Sequence, residues 1–277
     1  MTVFWLIIYM AAACVLQLVL GCIDVRLFAF PVGIAIGGGM VSVLYVLESE
    51  YSRRKWLSEM RSLRMAWRLT ALLAVACVIA GCLPPEKSFQ TSIPFVAVLI
   101  ALMVHLTLVI IHRLRTTALR NDMVFLSTHT GIWLALFCGL AGAGDYKELR
   151  CKVGYTYTTT SAIDAKGHVS SLPFSLRLKY FDVERSKTGS PIQYSATILI
   201  NDVPQIISVN SPYAASLYDD VYLVGFDDEC DAPYCILMVC REPWKYPMLA
   251  GILMLLCGTM VYGVRKFKQK EHVGTVN

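Results

Sequence analysis

Six stretches of apolar residues constrain this chain more than any other feature of its sequence: Val3–Ile23, Leu27–Leu47, Leu69–Leu83, Ile93–Ile111, Met123–Ala143 and Tyr246–Val264. A helix needs roughly 20 mostly apolar residues to cross a hydrocarbon core about 30 Å thick. The third stretch is short unless Met65, Ala66 and Trp67 extend it while Arg68 snorkels to the interface. The chain is 56% hydrophobic and 16% charged over 277 residues. Soluble domains run about 45–50% apolar and about 25% charged, so a soluble globule, a disordered chain and a collagen are excluded. No Lys or Arg precedes the first stretch, and the second follows after Asp24, Val25 and Arg26. The pair therefore reads as an uncleaved helical hairpin rather than a signal peptide.

Basic residues in the short connections set the expected orientation. Arg53, Arg54, Lys55, Arg61, Arg64 and Arg68 follow the second span, Arg113, Arg115 and Arg120 the fourth, and Arg265, Lys266, Lys268 and Lys270 the sixth. Against these thirteen, the short loops of the other side hold Arg26 and Lys87. Both termini are expected in the cytoplasm, and the basic segment 48–68 is expected as a solvated amphipathic helix on anionic headgroups. Topology accounts for these charge runs, so no nucleic-acid partner is implied.

The long segment 144–245 then faces outward and reads as β. Phe174, Leu176, Leu178 and Tyr180 alternate with Ser175, Arg177 and Lys179, a period of two. Gly189-Ser190-Pro191 makes a turn, and further strands are expected at 193–200, 205–209, 221–226 and 234–241. The expected fold class is an α-helical polytopic membrane protein of about six transmembrane helices, with an antiparallel all-β exoplasmic domain inserted before the last helix. Its divisions are a five-helix membrane domain at 1–143, the β domain at 144–245, a final helix at 246–264 and a cytoplasmic tail at 265–277.

Six of the ten cysteines lie in or beside spans, where Cys packs as a small hydrophobe. In the outer segment, Cys230 and Cys235 flank a turn and suit a hairpin disulfide, with Cys151 and Cys240 as a rival or additional pair. C-x-x-C, C-x-x-C-H, G-x-G-x-x-G after a strand, the P-loop, G-x-S-x-G and H-E-x-x-H are all missing from the sequence. An independent enzyme is therefore not expected.

Histidine is more informative. His168 and His272 sit in polar context, and His112 ends the fourth span as an interfacial residue. His105 and His129 fall within the hydrocarbon, where an ionisable residue is a functional-site hypothesis. Each is seven residues from the cytoplasmic end of its span, hence about 10 Å deep at about 1.5 Å per residue. Phe125 and Trp133, at i−4 and i+4 from His129, suit a flat apolar macrocycle. Hydrogen bonding across helices is the competing explanation for both histidines. Gly33 and Gly37 form a G-x-x-x-G suited to close helix packing.

The stretch Leu126-Ser127-Thr128-His129-Thr130-Gly131-Ile132-Trp133, running on to Gly139 and Gly142, resembles the membrane segment leading into the outer domain of ResB-like proteins. Leu172-Pro173-Phe174-Ser175-Leu176-Arg177-Leu178 is similar to that family's LPFSLRL strand. Val209-Asn210-Ser211-Pro212 resembles its V-N-x-P turn, and Arg241-Glu242-Pro243-Trp244 its R-x-P-W return to the membrane. The resemblance covers about 123–262 and implies a CcsB-type accessory subunit of System II cytochrome c assembly. It implies noncovalent, transient haem with His129 as an axial ligand to the iron. Matched depth on the two helices, apart from the resemblance, makes His105 a weaker second candidate for the same haem. It also implies a separate CcsA/ResC-type tryptophan-rich membrane partner, apocytochrome c as client, and the bacterial inner membrane as location. The alternative is a membrane scaffold that keeps the fold without handling haem.

Overall fold

The computed structural model describes residues 2–84, 89–117, 119–187, 191–227 and 233–274, with side-chain surroundings omitted for 2, 119–121, 191 and 268–274. The described chain divides into two compact units, Met1–Gly144 with Trp244–Asn277, and Asp145–Pro243.

The first unit holds α1 (Thr2–Leu20), α2 (Val32–Tyr51), α3 (Lys55–Met60), α4 (Leu63–Cys82), α5 (Ile93–Thr116), α6 (Leu119–Asp145) and α7 (Lys245–Gly274). Among the described residues, every one of these except α3 is long and apolar enough to cross a membrane. Ser62 and Ser92 cap α4 and α5 by accepting from Met65 N and Phe95 N. The Ser62 cap explains why α4 starts at Leu63, well before the apolar run itself.

Two local expectations are corrected. The second span starts at Val32, because Asp24 caps a 3-10 turn over Val25–Phe28 and Pro31 stands before the helix. The basic segment is not one amphipathic helix lying apart. It contributes only the six residues of α3, whose Leu57 is fully buried against Leu44 and Leu108. Arg61 turns inward to pair with Glu48, so burying the charge pair outweighs leaving the arginine in solvent.

Glu48 is 1% exposed and ties three segments together. Its Oε1 accepts from Arg61, from Ser52 Oγ at 2.8 Å and from His112 Nδ1 at 2.8 Å. His112, expected as a simple interfacial residue, thus fastens α5 to α2. Close packing elsewhere depends on glycine. A Cβ at Gly131 of α6 would stand 2.6 Å from the Gly251 carbonyl oxygen of α7, and one at Gly251 would stand 2.9 Å from the Gly131 carbonyl. Ser127 Oγ adds a 2.8 Å bond to the Met254 carbonyl, so backbone contact and a polar bond together join α6 to α7. Gly37 of α2 lies under the Phe137 ring of α6, which gives the G-x-x-x-G its use.

The second unit is one antiparallel sheet of β1 (Lys147–Gly154), β2 (Thr159–Ile163), β3 (Val169–Arg185), β4 (Pro191–Ile200), β5 (Val203–Ser208), β6 (Tyr213–Ala214), β7 (Asp219–Asp227) and β8 (Tyr234–Arg241). Its order is β5-β4-β3-β2-β1-β8-β7-β6. Leu149, Ala162, Leu176, Ile198, Ile207, Val221 and Leu237 all enter one core cluster, and β5 touches β7. The sheet is therefore curled around its own interior. In β3 the expected alternation holds through Leu178 and then breaks. The register with β4 shifts between Leu178 and Tyr180, leaving Tyr180 61% exposed while Phe181 packs against the core. Asn201 and Asp202 both have positive φ, the geometry of a two-residue hairpin turn joining β4 to β5. Arg241 sits opposite Asp219, with Nε 2.6 Å from Oδ1, so this motif arginine staples β8 to β7.

The β1–β8 ladder also sorts the cysteines. Cys151 pairs with Leu237 and faces the core, whereas Cys240 pairs with Glu148 and points to the other face, where Tyr146 Oη donates to its Sγ at 3.5 Å. That bond, with burial, holds the Tyr146 hydroxyl well above its usual range. A Cys151–Cys240 disulfide is thereby overturned, since both are free thiols on opposite faces. Cys230 lies outside the described residues, and Cys235 is buried opposite Val153.

Four outcomes are expected. Glu48→Ala, which strands Arg61 beside a buried site, should lower stability by about 3–5 kcal/mol in thermal unfolding of the detergent-solubilised chain. Its double variant with Arg61→Ala should lose less than the sum of the two singles. Gly251→Val should push α6 and α7 apart and lower the melting temperature, whereas Gly263→Val, with open space at its Cβ position, should not. Burial pushes the Cys151 thiol to about 11. Its alkylation at pH 8 should run on the order of a hundredfold slower than in the unfolded chain, by mass spectrometry of labelled peptides.

Candidate functional site

The expected ligand His129 stands in a column of aromatic side chains along α6. Residues 125, 129, 133 and 137 recur every four positions, so they share one helix face. Phe125 stacks on the His129 ring at 3.8 Å and 24°, and Trp133 stacks on Phe137 at 5.2 Å and 8°. Phe137 in turn meets Trp244 edge-on at 5.8 Å. At the other end the Arg113 guanidinium lies 5.2 Å over Phe125 while pairing with Asp122 at 2.6 Å. Arg113 thus closes the column with a cation.

His129 Nδ1 lies 2.8 Å from the Phe125 carbonyl oxygen. A carbonyl can only accept, so the proton belongs on Nδ1 and the lone pair on Nε2. Thr128 Oγ1 donates to the same carbonyl at 2.9 Å and reinforces it. An imidazole whose Nδ1–H is held by a backbone carbonyl is the arrangement seen when histidine ligates a metal through Nε2. The donor chemistry therefore fits one axial position on an iron porphyrin. No cluster of three or more His, Cys, Asp or Glu able to hold a bare metal ion occurs among the described residues.

Trp133 is positioned from α5. Its Nε1 donates to Thr107 Oγ1 at 2.8 Å, and Thr107 donates to the Met103 carbonyl at 2.7 Å. Phe125 therefore covers His129 directly, whereas Trp133 faces Thr107 and Phe137. Thr107, Phe137 and Trp244 belong to the arrangement but were not singled out as site residues. Continuing the period of four past Trp133 would have reached Phe137. Nothing local in the sequence marks Thr107.

His105 of α5 is 5% exposed and has the same tautomer-fixing device: its Nδ1 lies 2.7 Å from the Met60 carbonyl at the end of α3. The two imidazoles thus present the same nitrogen, Nε2, away from their carbonyl partners. They do not open onto one cavity, however. His105 lines an apolar cavity of about 470 Å³ with Trp5, Tyr9, Trp56 and Leu69, and His129 does not line it.

The ResB-like family model matches residues 119–234, which span α6 through the first residue of β8. No curated protein matches. A solved structure titled Cytochrome c Heme Lyase CcmF is similar at 12% identity and a TM-score of 0.38, covering 72% of this chain and 34% of that one. The chain thus spans about a third of that structure's length. The matched segment contains His129, the LPFSLRL strand and the V-N-S-P turn, while the R-E-P-W motif lies beyond it. Residues 119–234 of this chain are thus similar to the ResB-like family.

Proposed function

We propose that this chain is a haem-handling accessory subunit of a System II-type cytochrome c assembly complex, and that His129 is an axial ligand for haem within the membrane. The observation that carries the reading is the position of His129, inside the ResB-like segment on a helix long and apolar enough to span a bilayer, with Nδ1–H bound and Nε2 without a hydrogen-bond partner among the described residues. Six apolar helices support placement in a bilayer, and the thirteen-to-two bias of basic residues supports cytoplasmic termini with the β unit outside.

Bound haem would supply iron coordination at a fixed depth. The chain's own residues supply the rest. The Phe125 carbonyl, reinforced by Thr128, keeps the imidazole oriented with Nδ1 as the donor. Phe125 shields one ring face, and Gly131 lets α7 pack close behind the histidine. The β unit would hold a tryptophan-rich CcsA/ResC-type partner or apocytochrome c. The Cys230–Cys235 disulfide remains part of this proposal, as a clip on that unit.

The full chain, co-expressed with a tryptophan-rich partner, should purify with b-type haem by pyridine haemochrome spectroscopy. His129→Ala should reduce haem content by at least about tenfold and cytochrome c yield with it. His129→Gly with added imidazole should recover the spectrum. Unchanged haem and yield in His129→Ala would overturn the ligand assignment, and a colourless wild-type complex would favour a scaffold.

A further inference from the structure

The cavity floored by His105 lies among α1, α3, α4 and α5, with a volume of about 470 Å³, within the range of sites that hold organic ligands. Leu6, Met65, Leu69, Ile100 and Val104 give it hydrocarbon walls. Trp5, Tyr9 and Trp56 stand at its rim, 60%, 39% and 38% exposed, so it opens sideways. Trp5 and Tyr9 belong to the first two turns of α1, and Met65 and Leu69 to the first two turns of α4. The opening therefore lies at the end of the long helices that carries the basic segment 48–68.

The polar atoms of the lining are few. Tyr9 Oη donates to the Ala97 carbonyl at 3.0 Å and His105 Nδ1 to the Met60 carbonyl at 2.7 Å, which leaves His105 Nε2 as an acceptor. At the rim the indole N–H groups of Trp5 and Trp56 are donors with no hydrogen bond among the described residues. Cations flank that rim in sequence. Lys55, Arg64 and Arg68 each stand one residue before a lining side chain, Trp56, Met65 and Leu69, and Arg53 and Arg54 precede α3. None of these five side chains has a hydrogen bond or ion pair among the described residues, and all but the half-buried Arg68 are exposed. The segment's acids are Glu50, Glu59 and Glu48, and Glu48 is already paired with Arg61. The charge left over is positive, five against two.

We infer that this cavity is a site for one anionic glycerophospholipid. An acyl chain fills the space beside Leu69 and Val104, ester oxygens accept from the Trp5 and Trp56 indoles, and the phosphodiester lies against Lys55, Arg64 and Arg68. Each part of the lipid meets what the site lacks: hydrocarbon for an apolar hollow, acceptors for donor-only indoles, and a counter-ion for unpaired cations. His105 Nε2 lies at the level of the acyl chain and takes no part. The inference rests on the bilayer placement and orientation proposed above, and not on haem at His129.

The test is native mass spectrometry of the full chain in detergent, titrated with dioleoyl phosphatidylglycerol and, separately, with dioleoyl phosphatidylcholine. The two lipids share chains and esters, and only the first carries net charge. The anionic lipid should bind one site at least about tenfold tighter than the zwitterionic one. The pair Lys55→Gln and Arg64→Gln should remove that preference, at about fivefold for each cation, and leave the zwitterionic lipid binding as before. The pair Arg265→Gln and Lys266→Gln, on α7, should leave the preference intact. Ala101→Phe, which fills the cavity, should weaken both lipids by at least about tenfold. The charge variants sit at exposed positions and keep the test open if Ala101→Phe fails to fold. Equal affinity for the two lipids, an equal loss in the α7 pair, displacement by excess inorganic phosphate, or unchanged binding in a folded Ala101→Phe each overturns the inference. Haem content, read on the same preparation, reports on His129 separately. A colourless chain that keeps the lipid preference sinks the haem reading and supports this one.

Discussion

One buried carboxylate organises the helical unit. Glu48 accepts from Arg61, Ser52 and His112, and so joins α2, the turn between α3 and α4, and α5 at a single oxygen. A charge that deep is tolerated because Arg61 is its counter-ion and Ser52 and His112 add hydrogen bonds to the same oxygen. Its other oxygen, Oε2, has no partner among the described residues, so the arrangement holds through one oxygen alone. The consequence reaches the functional residues. With α5 fixed by His112 and α3 folded back by Arg61, the Met60 carbonyl meets His105 and sets its tautomer.

Helix α5 then serves as the reference for its neighbours. It receives the Tyr9 hydroxyl at Ala97, the Gln17 side chain at Ile93 N and the Trp133 indole at Thr107. Each is a polar bond made in apolar surroundings, where an unmade bond is costly. These bonds set the rotation of α1 and α6 about α5, and rotation decides which side chains face a cavity. Glycine does the corresponding work between α6 and α7, where removing Cβ atoms lets backbones touch. Two histidines at similar depth thus receive the same electronic preparation but different surroundings. His129 is stacked under Phe125, whereas His105 forms the floor of an open cavity.

Much of this was legible from local pattern. The apolar runs located the six long helices, and Leu172 to Leu178 declared a half-buried strand by period alone. The misses have identifiable causes. In β1, Leu149, Cys151 and Val153 alternate inward, but the charged residues between them and the preceding helix masked the strand. In β2 the inward residue is Ala162 alone, too small a signal to register. Tyr180 was misassigned because a bulge is a property of two strands in register, not of one sequence. The basic segment misled for a similar reason, since the partner of Arg61 lies thirteen residues away on another helix.

For the candidate site, the sequence by itself determined which residue types occupy the long apolar helices and at which turn: His105, His129 and the aromatic rings of α6 spaced by four. Helical periodicity and the cost of ionisable groups in hydrocarbon suffice for that. Only the tertiary structure decided their chemistry. Which nitrogen of each imidazole carries the proton depends on carbonyls at Met60 and Phe125, one of them on a different helix. Which histidine faces open space depends on how α1, α3 and α4 pack around α5. Hydrogen bonds and cavities are relations between segments, and no local stretch of sequence contains them.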